Sequence, residues 1–351
     1  MSSQILIFKF QETILFARNT LVDQETCHEV KFYQKSEDGQ VKTDGGLELS
    51  CPIKSSFIIQ RLAEHEFGGD FGANENNVVV AVSWASKAAT NYKLKPTDIV
   101  RLVLGGACVD SESGVKEIGK LIEEYGSTDT KLNFVVACPK DVWIVSVAGK
   151  CWAATKLGED LCVELGGDGL EVTTKIDLST DGLKDKIEWD KNEPFNFGKA
   201  FDSIATQKKW TGIECSSKAE GIINMFDNMR QLSKDLMTGS CSLAVLDSKE
   251  LSCFWFTATP NLKQSVFKPF FFCGENTRIS PLTQVPDGET ITLLHKLHSQ
   301  RKWEAIGNLL IGLEKYCVGE VMSYSANHGK ITEDVFELLK DCVEAEAKFY
   351  R

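Results

Sequence analysis

The chain has 351 residues, of which 42% are hydrophobic, enough apolar material for a well-buried core in one large α+β domain or two ordinary ones. A formal charge of -11, a pI of about 5.1 and the absence of any block of like charge leave no footprint for nucleic acid or an anionic membrane. The twelve cysteines form no CxxC pair and no metal-finger spacing, which points to free thiols in a reducing, cytoplasmic compartment.

Met1 is followed by Ser-Ser-Gln-Ile, without a basic segment and a long apolar one behind it. Apolar stretches such as 78–82 and 266–273 fall far short of the roughly 18 residues that a membrane span needs, so no transmembrane segment is expected. The N-terminal half predicts short strands at 5–10, 13–18, 29–33, 47–53 and 56–60, with Gln11-Glu12 as a tight turn. Residues 76–84 are β-branched and continuous, as a strand buried on both faces should be, and follow the glycine-rich Gly68-Gly69-Asp70-Phe71-Gly72. Helical patterns at 97–104 and 113–125, the second closed by Gly126, precede strands at 132–137, 142–147 and 151–155. Acidic residues and glycine dominate 158–194, which reads as an exposed loop system and a possible internal seam. Helical periodicity returns at 197–206 and 218–236, a hairpin follows at 242–246 and 251–257, and two long helices close the chain at 289–317 and 332–349. Thr332 is placed as the N-cap of the last helix, with Glu333 and Asp334 in its first turn.

Three features could carry chemistry. Removal of Met1 would leave the α-amine of Ser2 beside its own hydroxyl, and an α-amino group titrating near 7.7 to 8.0 can serve as base for such a nucleophile; a Met-Ser start is also common without any such role. In Gly72-Ala73-Asn74-Glu75-Asn76-Asn77 the amide of Asn74 could donate to a developing oxyanion, or the segment could be a turn that uses Asn and Gly for positive φ. Arg18, at the end of the second strand, could pair with a substrate carboxylate or be a solvated surface residue. His295 and His298 lack an intervening Glu and a third ligand and are expected on a polar helix face, so no metal site follows. Cys27-His28 are adjacent in an extended segment and point to opposite faces, and Gly166-Gly167-Asp168-Gly169 lacks the strand-to-helix context of a phosphate loop. No cofactor is expected.

Two distant segments carry a family resemblance. Thr257-Ala258-Thr259-Pro260 with Ser265-Val266-Phe267-Lys268-Pro269-Phe270 resembles the Thr-x-Thr-Pro and Ser-x-Phe-Lys-Pro-Phe signature of the secernins, and Gly72-Ala73-Asn74-Glu75 resembles their Gly-Ala-Asn-Glu segment. The resemblance continues through 121–126, 141–154 and 341–350, so that it covers essentially the whole chain as one domain, 1–351. It implies kinship with N-terminal-nucleophile cysteine dipeptidases and, more distantly, with bile-salt and penicillin V acylases, and hence an αββα sandwich with long C-terminal helices. Carried over residue by residue, Arg18 matches the dipeptidase arginine and Asn74 the motif asparagine. Leu21 stands where the relatives have an Asp, and Val163 falls near their second Asn. No Cys precedes Cys27. Aligning the first strand on the dipeptidase pattern puts Ser2 at the nucleophile, whereas the animal secernin pattern puts Gln4 there.

The expectation is therefore a catalytically degenerate, cytoplasmic binding or regulatory protein on a dipeptidase-like scaffold, which the resemblance connects with exocytosis. Its partners would be a peptide, a small acyl amide or another protein. The alternative is an active amidase or dipeptidase in which Ser2 attacks, Asn74 steadies the oxyanion and Arg18 positions substrate.

Overall fold

The computed structural model describes residues 2–22, 26–89, 91–158, 162–165, 171–172, 175–190, 192–193, 195–201, 206–209, 213–232, 238–259, 261–274, 277–300, 303–327, 332 and 334–350. Its first half holds β1 (Ser2–Phe10), β2 (Thr13–Leu21), β3 (His28–Tyr33), β4 (Gln40–Lys42), β5 (Glu48–Ser50), β6 (Phe57–Leu62), β7 (Phe71–Asn74), β8 (Val79–Ala89), α1 (Pro96–Gly105) and α2 (Ser111–Tyr125). There follow β9 (Asp129–Ala137), β10 (Val142–Ala148), β11 (Cys151–Lys156), β12 (Cys162–Leu165), β13 (Glu171–Val172), β14 (Leu178–Ser179), α3 (Leu183–Lys186), α4 (Phe197–Phe201) and β15 (Thr206–Lys209). The chain ends with α5 (Lys218–Leu232), β16 (Thr238–Asp247), β17 (Cys253–Phe256), β18 (Lys268–Phe270), α6 (Leu293–Ser299), α7 (Trp303–Asn327) and α8 (Asp334–Tyr350). The fold is thus α+β with long C-terminal helices, as the sequence predicts. None of its described helices is long and apolar enough to cross a membrane.

The chain forms two compact units, Met1–Ile5 with Tyr33–Ile59 and His65–Trp210, and Leu6–Phe32 with Gln60–Glu64 and Thr211–Arg351. In the first, the strand order β14-β11-β10-β9-β8-β7 makes a sheet against which α1 and α2 pack. Alternation decides the contact: Val80 and Val82 of β8, Phe134 and Val136 of β9 and Val145 and Val147 of β10 join Val103, Val115 and Ile118 of the helices in one core. The intervening Val79, Ala81 and Val135 are fully buried too, which is why the strand sequence is apolar without alternation. Helix α2 starts at Asp110, whose carboxylate accepts the Ser113 N–H at 2.8 Å, and stops at Gly126, whose φ of +70° suits glycine. The helix predicted over 197–206 is described as α4 for 197–201, with 202–205 outside the described residues, and Thr206 belongs to β15, a strand that pairs with β12. On its other side the same strand pairs with β13, through Gln207 opposite Glu171 and Thr206 opposite Val172.

In the second unit the order β2-β16-β17-β18 carries α5, α7 and α8. β1 and β2 are neighbours joined at Gln11-Glu12, with Gln11 at φ +54°. Nine residue pairs tie β2 to β16, from Thr13 opposite Asp247 to Leu21 opposite Thr238, with an irregularity at Gly239. A Cβ at Gly239 would lie 2.3 Å from Val22 Cγ2 and 3.0 Å from His28 Cε1, so only glycine permits this approach. The helix predicted over 289–317 is described as two segments, α6, which Thr292 caps by accepting the His295 N–H at 3.0 Å, and α7 from Trp303 to Asn327, with 301–302 outside the described residues. His295 and His298 are buried at 7% and 8% exposure, correcting their expected place on a polar face. Burial lowers the pKa of His295, and His298 Nδ1 shares a hydrogen bond of 2.9 Å with the Tyr350 hydroxyl of α8. Glu333, expected in the first turn of α8, lies outside the described residues, and Thr332 bonds to the Tyr324 hydroxyl through both its N–H and its side chain.

Each unit pairs a sheet with a layer of helices. The stacked rings of Phe226 and Phe267, 3.8 Å apart and 5° from parallel, anchor α5 in the second unit. Phe267→Ala is expected to cost about 3–5 kcal/mol; an unchanged midpoint in a urea titration would show that this stack is dispensable. At the end of β16, burial works against the Asp247 charge but is outweighed by Lys218, Thr13 and the N–H groups of Lys249 and Glu250, which hold its pKa at about 2. With the folded value depressed, the stabilisation is complete above the unfolded value of about 4 and is lost as pH falls through about 2, amounting to about 2–3 kcal/mol. Asp247→Asn should remove that slope, read from chemical denaturation at a series of pH values between 2 and 6.

Candidate functional site

The three residues singled out by sequence stand in different local settings. Ser2 is the first residue of β1, and its side chain lies outside what the structure describes. Ser3 beside it is buried at 2% exposure, with a hydroxyl that has no hydrogen-bond partner among the described residues. A buried hydroxyl in that condition is one that water or a ligand atom can satisfy.

Arg18 lies within β2, which runs on to Leu21, and is 1% exposed, so the solvated alternative for it does not hold. Strand alternation accounts for its company. Leu15, Ala17 and Asn19 share the face that meets α5, where Asn19 Nδ2 donates to the Met229 carbonyl at 3.1 Å. Phe16, Arg18 and Thr20 take the opposite face. The register sets Ser242 across from Arg18 and Ser240 across from Thr20, on that same face. Arg18 Nη1 donates to the Thr20 hydroxyl. Gln60 bridges the two serines, its amide donating to Ser240 Oγ at 2.7 Å and its carbonyl accepting from Ser242 Oγ at 3.0 Å. Gln60, Ser240 and Ser242, none of them suggested by the sequence reading, thus form with Arg18 and Thr20 a buried polar face of five side chains. A guanidinium presented beside hydroxyls and an amide suits a carboxylate or an amide carbonyl.

Asn74 ends β7 at full burial and is tied into its own turn. Its side-chain carbonyl accepts the N–H groups of Asn76 and Val78, each at 3.0 Å, while its amide donates to the Cys108 carbonyl at 2.9 Å. Positive φ in this turn belongs to Asn77, at +60°. The other members of the motif are equally occupied: a Cβ at Gly72 would sit 2.5 Å from the Ile58 carbonyl, and Glu75 accepts the Ser56 N–H at 3.2 Å and pairs with Lys35 at 2.7 Å. An oxyanion would have to draw on the second amide hydrogen of Asn74 or displace Cys108. Of the two positions where the sequence departs from the relatives, Leu21 pairs with Thr238 and Val163 with Lys209, both known here by backbone alone.

The cysteines offer no substitute nucleophile among those described in these settings. Burial pushes the thiols of Cys108, Cys253 and Cys273 up to about 12, and it raises that of Cys27 despite a bond toward Thr292, so thiolate is scarce at neutral pH. Cys27 Sγ donates to the His28 carbonyl at 3.6 Å rather than to a ring nitrogen. No group of three or more His, Cys, Asp or Glu among the described residues could hold a metal ion. The Gly166–Gly169 segment lies outside the described residues.

No family model matches the chain. Among solved structures it is similar to penicillin V acylase from Agrobacterium tumefaciens, with a TM-score of 0.48 and 11% identity over 77% of this chain and 86% of that one. It is similar as well to two variants of conjugated bile acid hydrolase from Clostridium perfringens. One gives a TM-score of 0.44 and 11% identity over 81% of this chain and 99% of that one. The other gives 0.43 and 10% over 82% and 99%. At such identities no residue's role passes from those proteins to this chain.

The commitment of Asn74 to its turn has a measurable consequence. Asn74→Ala strands the buried N–H of Val78 and leaves the Cys108 carbonyl with the Asn76 amide alone, and is expected to lower stability by about 1–3 kcal/mol. A variant with wild-type stability by thermal and denaturant unfolding would show the side chain to be held for some other purpose.

Proposed function

We propose that the chain is a secernin-like protein on an N-terminal-nucleophile hydrolase scaffold, one domain over residues 1–351, that retains the framework of a dipeptidase without its turnover. It would act in the cytoplasm by binding a peptide, a small acyl amide or a protein partner, in the setting of regulated exocytosis. The observation that carries this reading is the engagement of Asn74: the side-chain carbonyl is taken by two N–H groups of its own turn, and the amide expected to steady an oxyanion already donates to the Cys108 carbonyl. The composition of the remaining set agrees. Leu21 has no acceptor to orient the α-amine of Ser2, and Ser2 offers a hydroxyl where the relatives use a thiol. Catalytic groups act as a unit, and a partial set loses most of the rate. Binding is less demanding. Arg18, with Ser242, Ser240 and Gln60 on its face, is the group assigned here to a ligand carboxylate, and affinity of that kind does not by itself accelerate a reaction.

The test is a panel of dipeptides and acyl amides assayed with wild type and Ser2→Ala, the N-terminus of each preparation confirmed by intact mass. Little or no turnover is expected from either protein. Binding of a carboxylate-bearing dipeptide, followed by calorimetry, should be unaffected in Ser2→Ala and weakened at least tenfold in Arg18→Gln. Turnover present in wild type and abolished in Ser2→Ala would establish a serine-dependent hydrolase and overturn the proposal.

A further inference from the structure

Helix α7 is apolar on two sides. Its inner side, with Leu310, Cys317, Val318 and Val321, is buried within its own unit, yet Leu309, Ile311 and Tyr316 are 54%, 38% and 63% exposed on the outside. Two glycines complete the outer stripe, so that Leu309, Gly312, Tyr316 and Gly319 follow one another at steps of three and four residues along one face. A Cβ at Gly312 or at Gly319 would meet no atom within 4 Å. Glycine inside a helix is destabilising relative to alanine, and no described residue occupies the space it leaves. Close approach of another backbone is the circumstance in which glycine at such positions is useful.

We propose that the chain pairs with a second copy of itself through α7, antiparallel and about a two-fold axis. The stripe is self-complementary in that arrangement, and the two-fold closes the pair. Reversing the helix about position 314 sets Leu309 over Gly319 of the partner subunit and Tyr316 over Gly312 of the partner subunit, and symmetry repeats both contacts. Each large side chain then fills the notch above a glycine, and the helices approach closely. Between residues 305 and 327 the exposed charges are Lys315 and Glu320, both beside the stripe, so the seam itself is neutral, as the centre of an interface should be. The face from residue 305 to 327 is about 33 Å long, and half the girth of a helix about 11 Å across is about 17 Å, giving roughly 1,100 Å² buried in total. That just clears the roughly 1,000 Å² expected of a specific interface and suits a micromolar dimer. The same register offsets Lys315 by only two positions from the partner subunit's Lys315 on one edge of the seam, a repulsion that tunes the dimer and marks the axis.

Sedimentation equilibrium of the full chain, from about 1 to about 100 μM, should show a monomer–dimer equilibrium. The double variant Gly312→Ala/Gly319→Ala should gain a few degrees in Tm as a dilute monomer, through helix propensity, while its dissociation constant weakens at least tenfold. These opposite movements separate the docking role from a folding role. An isotope-labelled wild type mixed with Lys315→Glu should form heterodimers above the statistical share by native mass spectrometry. A chain monomeric to about 100 μM, a dimer indifferent to the glycine variants, or no heterodimer preference would each overturn the antiparallel α7 pairing.

Discussion

Much of the second unit depends on the register between β2 and β16. Nine pairs fix it, and because side chains alternate across a strand, a slip of one residue would turn every side chain over. In the register observed, Leu15 and Ala17 meet Val245 and Leu243 on the face that receives α5, and Arg18 and Thr20 meet Ser242 and Ser240 on the other. A guanidinium and three hydroxyls set on the helix-bearing side would be desolvated without partners, at several kcal/mol. The apolar requirement of one face thus holds the polar face in place. Gly239 is the local adjustment, admitting Val22 and His28 where a Cβ would collide.

The C-terminal helices are attached to this sheet partly by charge. Lys268 Nζ lies 2.7 Å from Glu346 of α8 with both side chains fully enclosed, and it also donates to the carbonyls of Thr257 and Val266. Burial lowers the pKa of Lys268 and raises that of Glu346, each opposed by the charge of the other. Such a pair adds little net stability compared with apolar packing, but removing one member leaves a buried charge uncompensated, so it selects where α8 docks. Arg230 and Glu314, 2.6 Å apart, do the same between α5 and α7, and the Glu314 carboxylate accepts the Phe267 N–H as well. The segment carrying the secernin-like signature is therefore framework: Thr257 bonds to Cys241, Thr259 to Ser265, Phe267 to the Phe226 ring and Lys268 to α8.

A signature can be retained because the fold needs it, independently of any reaction. In both motifs the polar side chains are consumed by turns, strand edges and helix docking, so their presence says more about architecture than about turnover. In the proposed reading, chemistry would rest on the N-terminal residue and on what orients it, where this chain has Ser2 and Leu21. Binding asks for less, and in the proposed reading it falls to Arg18 with its serine neighbours.

The sequence by itself determined the elements whose pattern is local. The hairpin at Gln11-Glu12, the continuous apolar strand before Trp84, the stop of α2 at Gly126 and the closing helix α8 all follow from periodicity and glycine placement. The strand at 206–209 was not legible, because four residues carry too little pattern to distinguish a strand end from the continuation of a helix. Nor was the burial of His295 and His298, since which side of a short helix is covered depends on α8, some fifty residues later. The site divides in the same way. Arg18 and Asn74 could be named from sequence, but the bonds that occupy Asn74 run to a carbonyl at 108, and the partners of the Arg18 face lie at 60, 240 and 242. Only the tertiary structure decided those, because pairing register and turn closure bring together groups that are far apart along the chain.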